Sequence, residues 1–192
     1  MSKEDELHTS LAHIILCAVA GKSLSRASGK SFTHPGMHAN FLIHGVIGFF
    51  HYQSNAFNND FTELYKISLK ASKYLAIPCL MADLYHSDQT LRSVHLLSGV
   101  VPFVLALTKN DNEPLGHLLV ACNVVSLCYY ANEKKSEWGW YTAGAAVLAY
   151  FVTTQMAPYY QKITYPLALA LMEYCAMKIP QVTFNPVVEL VS

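Results

Sequence analysis

The sequence predicts an all-α protein, a multi-pass transmembrane helical bundle of about seven helices, and three observations carry that expectation. The charged residues are bunched, so that residues 31–59, 114–132 and 138–161 contain no Asp, Glu, Lys or Arg. A helix needs ~20 mostly apolar residues to cross a bilayer core, and a solvated helix of that length would carry a charged stripe facing water. Composition agrees: the chain is 53% hydrophobic and only 14% charged, where soluble domains average about 25%. Aromatic residues also gather at the ends of the apolar stretches, among them Tyr52, Tyr85, Tyr129, Trp138, Trp140 and Tyr160, as in the aromatic belts of membrane proteins.

The elements follow in order. A first helix is expected over 7–21, where His13 interrupts the apolar run and also allows an interfacial placement. The leader Lys3-Glu4-Asp5-Glu6 is net acidic, whereas a signal peptide has a basic one, so this run is read as a retained helix. A basic loop with Lys22, Arg26 and Lys30 follows. Pro35 suits the first position of a second helix, 35–52. Residues 55–60 read as a polar turn. A third helix, 61–85, has two halves. Glu63, Lys66, Lys70 and Lys73 recur at helical spacing in the first, which leaves the membrane or lies in its interface. The second half is apolar except for Asp83. A fourth helix is expected over 94–108, a fifth over 114–131 starting at Pro114, a sixth over 138–156 stopped by Pro158, and a seventh over 163–178 stopped by Pro180. Residues 1–6 and 180–192 read as tails of a single domain spanning 1–192, and six to eight helices fit the same pattern. Loops are short, so neighbours should be antiparallel.

Formal net charge is zero, which gives no electrostatic reason to expect nucleic acid as a partner. The expected partner is the lipid bilayer, including its anionic lipids. Five cysteines without a CxxC indicate neither a disulfide framework nor a zinc site, and they read as small buried hydrophobes. No cofactor or metal is expected. No Asn-x-Ser/Thr occurs, so the pattern fits the endoplasmic reticulum and the plasma membrane equally. If the lysine face of the third helix is discounted, the basic loops put the C-terminal ends of the odd-numbered helices in the cytoplasm.

Four groups of residues are candidates for function. Lys66, Lys70 and Lys73 could hold anionic headgroups, at about 1 kcal/mol each; otherwise they form a solvated face. Asn40, His44, His51 and Asn55 form a polar stripe on the second helix, with Gly45 and Gly48 open to a neighbour; it reads as a polar path or as interhelical hydrogen bonding. Asp83 and His86, three apart, lie a short turn from His95, between Pro78 and Pro102. Intramembrane ionisable groups are functional candidates, and this set could relay protons or form a metal site, or Asp83 could cap the turn or pair with Arg92. Glu173 on the seventh helix could meet His44, His51 or Lys178. His34 and His38 read as interfacial, while His117 and Asn123 join no motif. Gly139, Ala143, Gly144, Ala145 and Ala149 form a small-residue packing surface.

Nucleophile-elbow, P-loop and HExxH motifs are absent. The stretch 102–140 faintly resembles the later helices of the lysoplasmalogenase family through Pro102, Glu113-Pro114 and Gly139-Trp140. That resemblance implies a membrane-embedded lipid hydrolase working through Asp residues on two helices; here only Asp83 is available, with His86, His95 and Glu173 as candidate helpers. The leading expectation is a non-enzymatic membrane protein acting through helix packing or lipid contact. The alternatives are this hydrolase and a small-molecule or proton transporter with its path along the second helix.

Overall fold

The computed structural model describes residues 3–26, 36–108 and 110–179. These residues are helical with short connections, and no strand occurs among them. The helices are α1 (Lys3–Arg26), α2 (Gly36–Tyr52), the single turn α3 (Ser54–Phe57), α4 (Thr62–Tyr74), α5 (Ala76–Leu84), α6 (Gln89–Leu107), α7 (Glu113–Glu133), α8 (Glu137–Val147) and α9 (Pro158–Ala176). Pro35, Lys30, Lys109 and the tail 180–192 lie outside the described residues.

Local chemistry sets the boundaries. Asp88 caps α6 by accepting from the Leu91 N–H at 3.0 Å, Asn112 caps α7 by accepting from Leu115 at 3.1 Å, and Ser136 caps α8 by accepting from Gly139 at 3.1 Å. Each satisfies one of the orphan N–H groups at a helix start. Asp88, not Asp83, therefore caps the helix after the turn. Before α4, hydrogen bonds from the Thr62 hydroxyl and backbone N–H hold the Asp60 carboxyl below its usual range. The expected third helix is broken at Leu75 into α4 and α5. Pro78 offers no N–H to the Tyr74 carbonyl, and a Cβ on Gly99 of α6 would stand 2.8 Å from that same carbonyl and from the Pro78 ring. The expected sixth helix is also interrupted: after α8 the path continues as a π turn, Leu148–Val152, and a 3-10 turn, Thr153–Gln155.

Paired residues fix the directions of the helices. Ser10 meets Gln53 and Cys17 meets the Leu42 carbonyl, so α1 and α2 run antiparallel. His44 meets Ser68 and Tyr52 meets Tyr65, so α2 and α4 are antiparallel. His38 meets Glu173 while the His44 ring packs on Tyr165, so α2 and α9 are antiparallel as well. Gly45 and Gly48 are where α1 comes closest: a Cβ at 45 would strike Cys17, and one at 48 would overlap the His13 ring.

The polarity of these helices is inverted relative to a soluble bundle. On α1 the buried residues include Thr9, Ser10, His13 and Ser23, while Leu7, Leu11, Ile14 and Ile15 are exposed. On α6 His95 and Gly99 are buried, while Val94, Leu97, Val100, Val101 and Val104 face outward. On α7 Asn123 is buried while Val125 is 68% exposed.

Three helical segments are long and apolar enough to cross a membrane: Glu6–Arg26, Gln89–Leu107 and Glu113–Glu133. Two of the charge-free windows do not supply such a helix. The α2 helix has 17 residues, about 25 Å at 1.5 Å per residue, and α8 has 11 residues before its backbone changes hydrogen-bond pattern.

The expected aromatic belt divides. Tyr129, Trp140, Tyr141 and Tyr160 are exposed, whereas Tyr52, Tyr130 and Tyr165 are buried. Cys79 and Cys175 are buried, but Cys122 is exposed on the outer face of α7, so the cysteines are not uniformly core residues. Gly144 has open space around it and is not part of the α8 packing surface.

Candidate functional site

The buried polar groups form three clusters, stacked along the bundle. The first lies where α2 ends and α4 and α9 begin. His13 of α1 donates its Nδ1–H to the Thr9 carbonyl at 2.9 Å. His44 of α2 lies 3.0 Å from the Ser68 hydroxyl, whose own proton goes to the Tyr65 carbonyl at 2.9 Å. A hydroxyl has one proton to give, so with Ser68 bonded to Tyr65 in this way His44 Nδ1–H is the donor to Ser68. In that arrangement both imidazoles present a bare Nε2 acceptor, and neither atom has a hydrogen-bond partner among the described residues. The rings sit 5.5 Å apart in an aromatic cage: His13 packs on Tyr52 and Tyr65, and His44 packs on Tyr65 and Tyr165. His51 stacks on Tyr65 at 4.5 Å.

Further hydroxyls are linked deeper in the cage. Ser72 donates to the Leu69 carbonyl at 2.9 Å, and its hydroxyl shares a hydrogen bond with the Tyr165 hydroxyl across 3.0 Å. Tyr150, on the π turn, donates to the Ser72 carbonyl at 2.8 Å. That turn holds one more residue than an α-turn would, a feature frequent at functional sites.

A pocket of about 290 Å³ opens beside this cage. Tyr52, Tyr65, Tyr150 and Tyr165 line it, with Lys73, Lys162, Thr154 and Gln161 as further polar groups and Leu69, Pro158 and Pro166 as apolar wall. Its size is at the lower end of ligand pockets, ~300–1,000 Å³.

The second cluster lies further along α2. His38 Nδ1 donates to Glu173 Oε1 at 2.5 Å, and Glu173 is fully buried with its Oε2 unmatched among the described residues. Glu173 therefore meets His38, not His44, His51 or Lys178, and His38 is an interior residue instead of an interfacial one. Asp83 reaches toward this end: a Cβ on Gly36 would stand 3.9 Å from its Oδ2, and its charge acts on His38.

The third cluster joins α6 and α7. His95 donates to Asn123 Oδ1 at 2.8 Å and accepts from Ser126 at 3.3 Å, while Tyr85 stacks on its ring at 5.6 Å. Asn123 passes the network on to Ser98 at 2.8 Å. His95 thus has both ring nitrogens engaged by neutral groups. His86 is exposed beyond the end of α5.

The polar stripe holds in part. Asn40 and His44 are buried, and Asn40 donates back to the Gly36 carbonyl at 3.0 Å. Asn55 does not belong to it, because α2 ends at Tyr52 and Asn55 lies exposed on α3. The lysine trio also divides. Lys66 is exposed and pairs with Glu63 at 2.7 Å. Lys70 donates to the Ala106 carbonyl at 2.8 Å and pairs with Asp111 at 3.3 Å. Lys73 lies 3.2 Å from His117 Nε2 and lines the pocket.

No group of three His, Cys, Asp or Glu among the described residues is arranged to hold a metal ion. Sequence reasoning did not single out Tyr65, Ser68, Ser72, Tyr150 or Tyr165 as site residues, because the first three share α4 with a more conspicuous lysine face and only the fold brings Tyr150 and Tyr165 to them. Comparison with protein-family models, with curated proteins and with solved structures returned no match.

Proposed function

We propose that the chain is a multi-pass integral membrane protein with a non-enzymatic role, holding a small amphipathic molecule in the pocket between α2, α4 and α9. Seven rods would cross or enter the bilayer: α1, α2, α4 with α5, α6, α7, α8 with its π and 3-10 turns, and α9. The observation that carries this reading is the inverted polarity. Histidines, serines and asparagines are buried while Leu, Ile and Val are exposed along α1, α6 and α7. Contiguous exposed apolar surface on that scale marks a lipid or partner interface, and lipid accounts for its appearance on several helices at once. The pocket supports a binding role. It combines apolar wall with a few convergent polar groups, whereas the His95 cluster has both ring nitrogens engaged and is not part of the lining.

Alkaline carbonate extraction tests the membrane reading. The chain is expected to stay with the membrane pellet and to need detergent for release. Recovery in the soluble fraction without detergent would overturn it.

A further inference from the structure

We infer that the pocket beside Tyr65 selects molecules that carry a carboxylate on an apolar body, and that Lys73 is the group that reads the charge; this rests on the pocket being a ligand site. Among the described residues that line the pocket, two are cationic, Lys73 and Lys162, and none is acidic. Lys73 is half-buried and has no carboxylate within ion-pair distance among the described residues. Its hydrogen-bond partner is the neutral acceptor His117 Nε2, and its ammonium also lies 5.4 Å from the centre of the Tyr74 ring.

Asp111 and Glu113 act on Lys73 at longer range, and Lys70 opposes them. Asp111 is already engaged, by Lys70 at 3.3 Å and by the Tyr74 hydroxyl at 3.5 Å. A half-buried ammonium with donor capacity left over favours an incoming anion, because charge-assisted hydrogen bonds are stronger than neutral ones.

A second donor stands in the same wall. The Tyr65 hydroxyl accepts from Tyr52 at 3.4 Å, and its own proton has no acceptor among the described residues. One ammonium and one phenol thus offer an anion entering the pocket a charged and a neutral donor. No arginine lines this pocket to grip an anion with a planar fork, so the charge is met by lysine as a point charge. Leu69, Pro158, Pro166 and the tyrosine ring faces would take the apolar body.

The source of such an acid is either the aqueous phase or the bilayer, and chain length separates them. The full chain, reconstituted in neutral phosphatidylcholine nanodiscs, would be titrated with octanoate, octanol and octylamine, which share one apolar body and differ in charge. Octanoate is expected to bind at least about tenfold more tightly than the other two. Lys73→Gln should remove that preference, bringing octanoate to the level of octanol, and Lys73→Arg should keep it. Competition by oleate carried in the disc then assigns the source. Displacement of octanoate points to the bilayer and retention to the aqueous phase, and both keep the carboxylate assignment. Equal binding of the three probes, with octanol excluded by the pocket-filling Leu69→Trp, would overturn the carboxylate inference alone. Absence of binding by any probe would overturn the pocket as a ligand site as well. The comparison of probes on the unmodified protein decides between these results even if a variant does not fold.

Discussion

His13 occupies the space that a side chain on Gly48 would need, and with the Gly45–Cys17 contact this sets how closely α1 and α2 approach. Adding a methyl group to a filled interior typically costs about 1–3 kcal/mol. Gly48→Ala should therefore lower the unfolding midpoint in detergent, and His13→Ala in the same chain should recover much of the loss. A coupling near zero in the double-mutant cycle would mean that the two residues do not share this space. The sequence announced half of this arrangement. Gly45 and Gly48 on one helix face indicate close approach, but nothing local says which helix approaches or that an imidazole fills the gap. His38 is a sharper case. It lies 135 residues from Glu173, and no spacing rule reaches that far.

At the scale of elements, the break between α4 and α5 depends on α6. Gly99 sits against the Pro78 ring and the Tyr74 carbonyl, and a backbone oxygen cannot move aside as a side chain can. Gly99→Ala should cost about 1–3 kcal/mol, whereas Gly144→Ala, with open space around it, should be neutral or stabilising by up to about 1 kcal/mol. Thermal unfolding of the two variants side by side checks this, and equal losses would refute the packing argument. The all-helical character and much of the helix order were legible because the signals are local: charge-free windows, and prolines such as Pro114 at helix starts. The π turn was not legible. Residues 148–152 read Leu-Ala-Tyr-Phe-Val, an ordinary helical stretch, and the change of pattern shows only where Tyr150 reaches the Ser72 carbonyl. The pocket was hidden for a related reason, since four separate segments supply its tyrosines.

At the scale of the whole molecule, polarity decides what surrounds the protein. Leu97 is 60% exposed on α6. In water, Leu97→Arg would be close to neutral, within about 0.5 kcal/mol as for most surface substitutions. In a bilayer the same change would cost about 2.5–3.5 kcal/mol near the helix centre. The expected outcome is loss of membrane-integrated protein in a microsomal insertion assay, with Leu97→Phe tolerated. Normal integration of the arginine variant would place α6 in water or against protein. Composition and charge spacing carried this level from the start. They did not settle which helices reach full length, because α2 and the α8 segment are limited by backbone geometry, which composition does not record.

The pairing of His38 with Glu173 also has a consequence for how the molecule is made. A ribosome delivers α2 well before α9, so His38 waits through the synthesis of α3 to α8 before its carboxylate partner arrives. On the proposed topology the nascent bundle stays open along α2 until α9 docks, and that docking is the event that completes it. A chain ending before Pro158 would keep α1, α6 and α7, the helices able to enter a membrane unaided, and would still present an unsealed polar seam to cellular quality control. Such a truncation is expected to integrate normally and to turn over faster than the full chain in a pulse-chase experiment. An equal half-life would show that closure by α9 is not what completes the fold.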